Sequence, residues 1–427
     1  MNICVVALGK IGLPLAVQFA AKGHTVIGAD VDEEVVGLVN AATEPFPGEH
    51  DLDVRLKEAV GAGLLSATTD TTAAVAASDV VVIVVPLFVD GEGTPDFGWM
   101  DAATKAVAAG LRPGTLVSYE TTLPVGTTRN RWAPMLAEGS GLTPGRDFAL
   151  VFSPERVLTG RVFADLRRYP KLVGGIDEAS ALRGAEFYEA VLDFDERADL
   201  PRPNGVWDLG SAEASELAKL AETTYRDVNI GLANQFARFA DLHDIDVEQV
   251  IDACNSQPYS HIHRPGIAVG GHCIPVYPRM YLWNDPDATV VRAAREANAA
   301  MPGYAVDLLA AAYGDLHGAG VLVLGAAYRG GVKETAFSGV FGVVEALRER
   351  GAVPFVSDPL YSPEELRAQG LVPHESQAVT AAILQTDHPE YRELSSDAFP
   401  DVRVLVDGRR TTDPARWAGV RRVVIGG

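Results

Sequence analysis

A glycine-rich loop carries the cysteine best placed for covalent chemistry. Residues 270–275 read Gly-Gly-His-Cys-Ile-Pro, so Cys273 follows two glycines that would leave room for a ligand. A thiolate is a strong nucleophile, and backbone N–H groups or positive charge lower a thiol pKa toward that form. The residues alone leave two interpretations open, a nucleophilic Cys273 or a buried and unreactive one. Cys4, inside a predicted strand, and Cys254, on a predicted helix, are interpreted as structural.

A second glycine-rich segment, directly after the first predicted strand, indicates a dinucleotide site. Residues 7–12 read Ala-Leu-Gly-Lys-Ile-Gly, a variant of the GxGxxG fingerprint. Gly9 would let the backbone approach a pyrophosphate, and Gly12 would let the following helix pack on the strand. Lys10 and Ile11 lie between them at the helix N-terminus, where free N–H groups favour an anion.

Two residues beside that loop refine the cofactor prediction. Asp30 ends the second predicted strand, where a carboxylate is expected to bond the ribose hydroxyls of the cofactor. No arginine follows directly to accommodate a 2′-phosphate, so the pattern favours NAD over NADP. Ala7 replaces the first glycine of the fingerprint, and we expect it to be tolerated with a negative φ.

Three further side chains could take part in acid–base or anion chemistry, each with a structural alternative. Glu155 follows a predicted strand, where it could be a general base, a substrate anchor or a solvated loop residue. Thr122 also lies just past a strand end, and its hydroxyl could bind a ligand or cap the next helix. Lys219 lies on a long predicted helix with glutamates one and two turns before it, so it could instead form a surface ion pair.

Composition and charge narrow the class of protein. The chain has 427 residues, 47% of them apolar, and a formal net charge of −21. Such a chain can build several hydrophobic cores, and its acidity argues against nucleic acid as the main partner. Three cysteines without zinc spacing predict neither a disulfide framework nor a metal site. We expect a cytoplasmic protein without a membrane partner, because no signal-peptide pattern is present and the longest apolar run, residues 80–89, is too short to span a membrane.

The elements that must position these residues alternate in two blocks. Strand-like and helix-like segments alternate over about the first 200 residues, which predicts βαβ units and a parallel sheet covered by helices on both faces. Residues 211–243 lack proline and are rich in alanine, leucine and glutamate, which predicts one long helix or two with a bend. A loop over residues 256–272 and helices over 288–313, broken near Pro302, precede a second strand–helix block.

The predicted fold is therefore α/β, with two Rossmann-like doubly wound parallel-sheet domains joined by a long central helix. We expect an NAD-binding domain over residues 1–205, a helical connector with the cysteine loop over residues 206–315, and a C-terminal domain over residues 316–427. The connector helix is apolar on more than one side, so we expect it to pack against a second copy of the chain.

Taken together and in this order, these motifs resemble the nucleotide-sugar 6-dehydrogenase family, which includes UDP-glucose and UDP-N-acetylmannosamine dehydrogenases. The resemblance runs nearly end to end. Besides the glycine and cysteine loops, it rests on Thr-Thr-Leu-Pro-Val-Gly-Thr-Thr at 121–128, Pro-Glu-Arg-Val at 154–157, Pro-Lys-Leu-Val-Gly-Gly at 170–175, Tyr-Arg-Asp-Val-Asn at 225–229, Ala-Arg-Glu-Ala-Asn at 294–298, Gly-Ala-Ala-Tyr-Arg at 325–329, Thr-Asp-His at 386–388 and Asp-Gly-Arg-Arg at 407–410.

The resemblance implies NAD-dependent oxidation of the C6 hydroxyl of a nucleotide sugar to a carboxylate. In such a reaction two NAD accept four electrons, and a cysteine forms first a thiohemiacetal and then a thioester that water hydrolyses. Cys273 would be the nucleophile and Lys219 would stabilise the oxyanion. Thr122 and Glu155 would hold water or act as base. Pro86 and Thr122 would also border the NAD.

The resemblance also implies a substrate site and a homodimer built by the long helix. The C-terminal domain would bind the nucleotide. Besides Glu155 and Lys219, the substrate-binding residues would be Arg156, Thr223, Gly270, Gly271, Tyr328, Arg329 and either Arg409 or Arg410. The sugar would be UDP-linked and N-acetylhexosamine-like, because Pro-Glu-Arg-Val stands where glucose-type members carry Pro-Glu-Phe and because Thr159 replaces a glutamate.

Three positions depart from the family pattern. Thr223 stands where asparagine is usual, four residues after the lysine, and Tyr277 where aspartate is usual, four residues after the cysteine. Ala336 stands where an arginine near the cofactor is usual. Tyrosine removes a carboxylate, and alanine removes a bidentate anion contact. The sequence thus leaves open a divergent member with a two-electron or otherwise altered outcome on an unusual nucleotide, or a catalytically weak binding homologue.

Overall fold

A computed structural model describes residues 1–91 and 93–427 of the chain. These residues divide into two units, Met1–Ala221 and Glu222–Gly427. The boundary falls inside the long helix that the sequence predicts as a connector.

The first unit alternates strands and helices along the chain. Its strands are β1 (Asn2–Val6), β2 (Thr25–Ala29), β3 (Leu65–Thr68), β4 (Val80–Ile83), β5 (Phe88–Val89), β6 (Pro95–Asp96), β7 (Leu116–Tyr119), β8 (Ala149–Phe152), β9 (Lys171–Gly175) and β10 (Val206–Asp208). Its helices are α1 (Gly12–Ala21), α2 (Glu33–Asn40), α3 (Leu52–Gly61), α4 (Thr71–Ala76), α5 (Gly98–Gly110), α6 (Ala133–Ser140), α7 (Val162–Arg168) and α8 (Glu178–Val191), with a π-helical turn at Thr128–Trp132.

Eight strands of the described residues form one sheet in the order β10-β9-β8-β7-β4-β1-β2-β3. Apolar residues alternate between its two faces, as in β4, where Val80 and Val82 belong to one core and Val81 and Ile83 to the other. Burial of such a side chain stabilises the fold by about 1.5–3 kcal/mol. The predicted doubly wound α/β fold, with helices on both faces of the sheet, is confirmed.

One strand pair departs from the predicted parallel sheet. β9 runs antiparallel to β8, with Val151 opposite Gly175, and β10 runs parallel to β9. The segment between β8 and β9, with the seven-residue helix α7, ends at the carboxyl edge of the sheet. The first residue of β9, Lys171, therefore lies at the carboxyl edge of β7 and β8.

The long helix α9 spans Ala212–Asp241 as one 30-residue helix, about 45 Å long. The sequence left open two helices with a bend, and the structure has one. No helix among the described residues is long and apolar enough to cross a lipid bilayer.

The second unit contains helices and a smaller sheet. Its helices after α9 are α10 (Val247–Asn255), α11 (Tyr277–Asn284), α12 (Thr289–Ala299), α13 (Met301–Tyr313), α14 (Gly339–Glu349) and α15 (Pro363–Ala368). Its strands are β11 (Gly320–Leu324), β12 (Val353–Ser357), β13 (Ala381–Leu384), β14 (Val404–Asp407) and β15 (Arg421–Val424), paired in parallel in the order β12-β11-β13-β14-β15. The predicted helix break lies between α12 and α13, where Pro302 fits the first turn of α13.

Candidate active site

The predicted dinucleotide loop connects β1 to α1. A Cβ added at Gly12 would lie 1.9 Å from the carbonyl oxygen of Ala7, so only glycine allows this packing of helix on strand. A Cβ at Gly9 would meet nothing within 4 Å, which leaves open space on that side of the loop. Helix α1 has no side-chain cap at Ile11, and Lys10 is exposed. The uncapped N–H groups and the open space fit the pyrophosphate of NAD.

The expectation of a negative φ at Ala7 is wrong. Ala7 has a φ of 76°, in the left-handed region that residues with a side chain rarely adopt. Its N–H donates to the carbonyl oxygen of Ala29 at 2.8 Å, which ties the turn to β2. The backbone of the loop therefore turns as it would with glycine, at a cost of about 1–2 kcal/mol for the alanine side chain.

Asp30 stabilises the glycine loop from the end of β2. Its Oδ2 accepts the Leu8 N–H at 2.7 Å, and its Oδ1 accepts the Asp32 N–H at 3.0 Å. A carboxylate has about four acceptor sites, so capacity for ribose hydroxyls remains. The side chain thus holds the loop and lies at the strand end where the sequence predicts it.

The loop that carries Thr122 is anchored at both ends. The Thr121 hydroxyl donates to the carbonyl oxygen of Val85 at 2.7 Å, just before the exposed Pro86. At the other end of the loop, Glu216 on α9 accepts the N–H and the hydroxyl of Thr128 at 2.9 and 2.7 Å. Thr122 is buried in this loop.

Lys219 lies one turn after Glu216 on α9 and is only 6% exposed. Burial raises the pKa of Glu216 to about 7 despite the hydrogen bonds from Thr128. The other glutamate before the lysine, Glu213, pairs with Arg129 at 2.5 Å. The surface ion-pair interpretation of Lys219 is therefore wrong, because its side chain is buried.

Glu155 takes part in a buried charge cluster at the carboxyl ends of β7 and β8. The Lys171 ammonium donates to Glu120 Oε2 at 2.7 Å and to Glu155 Oε2 at 2.8 Å. The Arg156 N–H donates to the other oxygen of Glu155 at 2.7 Å, and the Arg156 guanidinium donates to the carbonyl oxygen of Pro170 at 3.2 Å. The interpretation of Glu155 as a solvated loop residue is wrong.

Sequence reasoning missed Glu120 and Lys171. Glu120 directly precedes the threonine motif at 121–128, and Lys171 belongs to the motif at 170–175. A wholly parallel sheet would place Lys171 at the opposite edge, so its contact with Glu155 depends on the reversed direction of β9.

Cys273 lies in the second unit, half-buried with a free thiol. Its carbonyl oxygen accepts the N–H of Tyr277 at 2.9 Å, which joins the loop to the start of α11. A Cβ at Gly270 would lie 2.5 Å from Tyr328 Cβ, and Gly271, at a φ of 90°, packs against the Tyr328 ring. On the side where a Cβ would stand, both glycines therefore pack against Tyr328.

The segment with Tyr328 and the exposed Arg329 is held by the Thr-Asp-His motif. The side chain of Asp387 accepts the Gly330 N–H at 2.8 Å, and His388 Nδ1 accepts the Gly331 N–H at 3.2 Å. Since Nδ1 accepts, Nε2 carries the proton and donates to Asp358 Oδ2 at 3.0 Å. The motif therefore positions the loop after β11.

The two arginines at the end of β14 have different surroundings. The Arg409 guanidinium donates to the carbonyl oxygens of Gln385 and Ala268, at 3.0 and 3.3 Å. Burial lowers its pKa, and Asp387 opposes that shift. Arg410 instead pairs with Asp246 before α10, at 2.9 Å. Of the two candidates for substrate binding, Arg409 contacts the chain leading into the cysteine loop.

Helix α9 also supports the segment that leads into the cysteine loop, through the motif at 225–229. The buried Asp227 accepts from Arg295 and Asn298, at 2.5 and 2.8 Å. Asn298 accepts in turn from Asn234, whose side-chain oxygen accepts the Gly266 N–H at 2.9 Å. Thr223 lies one turn before Asp227 and is fully buried.

The predicted site residues thus fall in two groups, each described within its own unit. The first unit holds Gly9, Lys10, Ile11, Gly12, Asp30, Pro86, Thr122, Glu155, Arg156 and Lys219. The second holds Thr223, Gly270, Gly271, Cys273, Tyr328, Arg329 and Arg409, together with Tyr277 and Ala336. The carbonyl oxygen of Ala336 accepts the Gly271 N–H at 2.8 Å. Ala336, one of the three departures from the family pattern, therefore contacts the cysteine loop.

A glycine loop between the first strand and helix of a doubly wound sheet defines a dinucleotide-binding protein, and comparison with known proteins specifies the family. The chain matches three domains of the UDP-glucose/GDP-mannose dehydrogenase family: the NAD binding domain over residues 1–192, the central domain over 213–300 and the UDP binding domain over 322–414. The chain therefore belongs to this family of NAD-dependent oxidoreductases, as the resemblance predicted.

Similar proteins cover the whole chain. A UDP-N-acetyl-D-mannosamine dehydrogenase of Pyrococcus horikoshii is 34% identical over 417 residues, 96% of this chain and 95% of that protein. An NDP-N-acetyl-D-galactosaminuronic acid dehydrogenase of Ralstonia solanacearum is 30% identical over 98% of this chain and 97% of that protein. A solved structure of the Pyrococcus horikoshii dehydrogenase covers 100% of this chain and 99% of its own, with a TM-score of 0.87 and 32% identity.

Proposed function

We propose that this chain oxidises the C6 hydroxyl of a UDP-linked N-acetylhexosamine to the carboxylate, with NAD as the acceptor. The similarity to relatives named for N-acetylated sugars, 30–34% identical over nearly the full length, carries the choice of sugar. Pro-Glu-Arg-Val at residues 154–157 agrees with it, because glucose-type members of the family carry Pro-Glu-Phe there.

The proposed roles divide the chemistry among four side chains. NAD, when bound at the glycine loop, would accept the hydride that leaves C6. Cys273 adds to the aldehyde through its thiolate, and loss of a second hydride turns the thiohemiacetal into a thioester. Lys219, a buried cation, stabilises the oxyanion that develops at C6. Thr122 and Glu155 hold the water or take up the proton.

The remaining proposed contacts serve binding. Gly9, Lys10, Ile11, Gly12, Asp30 and Pro86 would border the NAD, and Arg156, Thr223, Gly270, Gly271, Tyr328, Arg329 and Arg409 would contact the nucleotide sugar. The fixed positions of the loops after β11 and β14 support this assignment, because preorganised groups lose little entropy on binding.

We expect the reaction to form two NADH for each sugar nucleotide consumed. The measurement is absorbance of NADH with a panel of UDP-, GDP- and dTDP-sugars, followed by mass spectrometry of the product. A UDP-N-acetylhexosamine should give the carboxylate, seen as a gain of one oxygen and a loss of two hydrogens. An absence of NADH with every sugar nucleotide would contradict the proposal.

We also propose a homodimer built through α9. The helix exposes large apolar side chains on one face, with Leu232 46%, Phe236 40% and Phe239 59% exposed. Their spacing of four and three residues gives a continuous stripe, which favours a helix partner. We expect light scattering to give about twice the chain mass of 45.3 kDa. A mass of one chain at micromolar concentration would contradict the dimer.

Each of the three predicted domains has its own proposed role. Residues 1–205 would bind NAD, residues 206–315 would carry the cysteine loop and the dimer contact, and residues 316–427 would bind the nucleotide. The free thiols Cys4, Cys254 and Cys273 favour the reducing cytoplasm.

A further inference from the structure

A buried cluster beside Glu155 contains two charged residues that the proposed reaction leaves without a role. Lys171 is 4% exposed and Glu120 is 1% exposed. The Lys171 ammonium contacts both carboxyl groups, at 2.7 Å for Glu120 and 2.8 Å for Glu155. One carboxylate would suffice to balance one ammonium, so the second carboxyl group needs an explanation.

The other groups around Glu120 are hydroxyls. The Tyr188 hydroxyl on α8 donates to Glu120 Oε1 at 2.7 Å and lies 2.7 Å from the Ser118 hydroxyl on β7. The Lys171 ammonium also lies 4.8 Å from the centroid of the Tyr188 ring. With both carboxyl groups ionised, the cluster would keep one uncompensated negative charge away from water, which is unfavourable.

Burial and hydrogen bonding decide which carboxyl group keeps a proton. Burial raises the pKa of Glu120 to about 7, the charge of Glu155 adds to this shift, and Lys171 opposes it. Burial also acts on Glu155, but Lys171 and the Arg156 N–H, with a hydrogen bond from Glu120, outweigh it and lower the pKa of Glu155. Of the two carboxyl groups, Glu120 is therefore the one that holds a proton below about pH 7, while Glu155 is ionised.

We propose that Lys171 and Glu120 are positioning residues for Glu155. Lys171 holds the Glu155 carboxylate ionised and oriented at the carboxyl edge of the sheet. Glu120 carries the proton of the cluster, so that its own carboxyl group does not compete with Glu155 for the Lys171 ammonium. This inference rests on the proposed function of Glu155. The reversed direction of β9 makes it possible, because it brings Lys171 to that edge.

The first test follows the proton without any turnover. The raised folded-state pKa of Glu120 means that ionisation costs stability as the pH rises from about 4.3, the pKa of an unfolded glutamate, to about 7. Glu120→Gln cannot ionise, so its melting temperature relative to the wild type should increase between pH 5 and pH 8. The control is Asp101→Asn, whose carboxylate pairs with Arg131 and has a lowered pKa, so it should show no such increase. A constant difference for Glu120→Gln between pH 5 and pH 8 would overturn the proton assignment.

The second test follows the pH profile of kcat/KM for the UDP-N-acetylhexosamine. Lys171→Met removes the cation, so the acidic limb set by Glu155 should move to higher pH by one unit or more. If this variant does not fold, Glu120→Gln with Lys171→Met is measured in its place and should shift the limb in the same direction. A limb that stays at its wild-type pH would overturn the positioning role.

A rescue comparison separates positioning from packing. Glu120→Ala should lower kcat about tenfold or more, and Glu120→Gln should restore most of it at pH 7, because glutamine has the shape and hydrogen bonds of a neutral carboxyl group. Equal losses in both variants would contradict the proposal. A wild-type profile for Glu155→Gln would instead contradict the proposed function of Glu155, while the melting experiment would still decide where the proton lies.

Discussion

Cys273→Ala is expected to form no carboxylate while binding NAD as the wild type does. In the proposed reaction the thiolate captures the aldehyde, and alanine offers no nucleophile in its place. The predicted NAD contacts lie in the glycine loop and at Asp30, and the substitution leaves all of these residues unchanged. We expect the rate of acid formation to fall by at least 10³-fold, about 4 kcal/mol or more.

The measurement combines NADH release, product mass and calorimetric titration with NAD. Cys273→Ser should also fail to turn over, because an alkoxide is much harder to form than a thiolate. The matched control is Cys254→Ala, which alters a half-buried thiol on α10 and should keep the wild-type stoichiometry. Two NADH for each sugar from Cys273→Ala would contradict covalent catalysis.

The buried strands were predictable because a strand buried on both faces is a continuous run of apolar residues. The apolar runs at residues 80–85, 116–119 and 149–152 predict buried strands. They become β4, β7 and β8, and β7 and β8 have the predicted bounds. β3, β10 and β15 were not predicted. They lie at the edges of their sheets and have four residues or fewer, many of them half-exposed, so their sequences lack a continuous apolar run.

The site was predictable where one short segment determines the geometry. The cramped packing of Gly12 follows from the fingerprint itself, because the helix must start at the strand. Contacts between distant segments were not predictable in this way. The positive φ of Ala7, the Tyr328 ring against Gly271 and the ion pair of Lys171 with Glu155 all depend on how separate elements meet.

Thr223→Asn combined with Tyr277→Asp is expected to raise kcat on a UDP-N-acetylhexosamine by tenfold or more. Each substitution restores a residue that the family pattern implies near the catalytic lysine and cysteine. Tyr277 offers a phenol where the family pattern has a carboxylate. Threonine offers one donor where asparagine offers two. A lost donor to a developing oxyanion costs up to about 3–4 kcal/mol of barrier, so even a partial restoration should be visible.

Tyr277→Phe is the matched control for this double variant. Tyr277 begins α11 directly after the cysteine loop, half-buried, and its N–H donates to the Cys273 carbonyl oxygen at 2.9 Å. If the hydroxyl of Tyr277 has taken over the work of the missing aspartate, Tyr277→Phe slows turnover and the double variant gains nothing. If Tyr277 only fills space, Tyr277→Phe matches the wild type and the double variant gains.

A wild type that already forms two NADH per sugar at about 1 s⁻¹ or faster, an ordinary enzyme rate, would show that the departures cost nothing. In that case the oxyanion would be held by Lys219 without help from an asparagine and an aspartate.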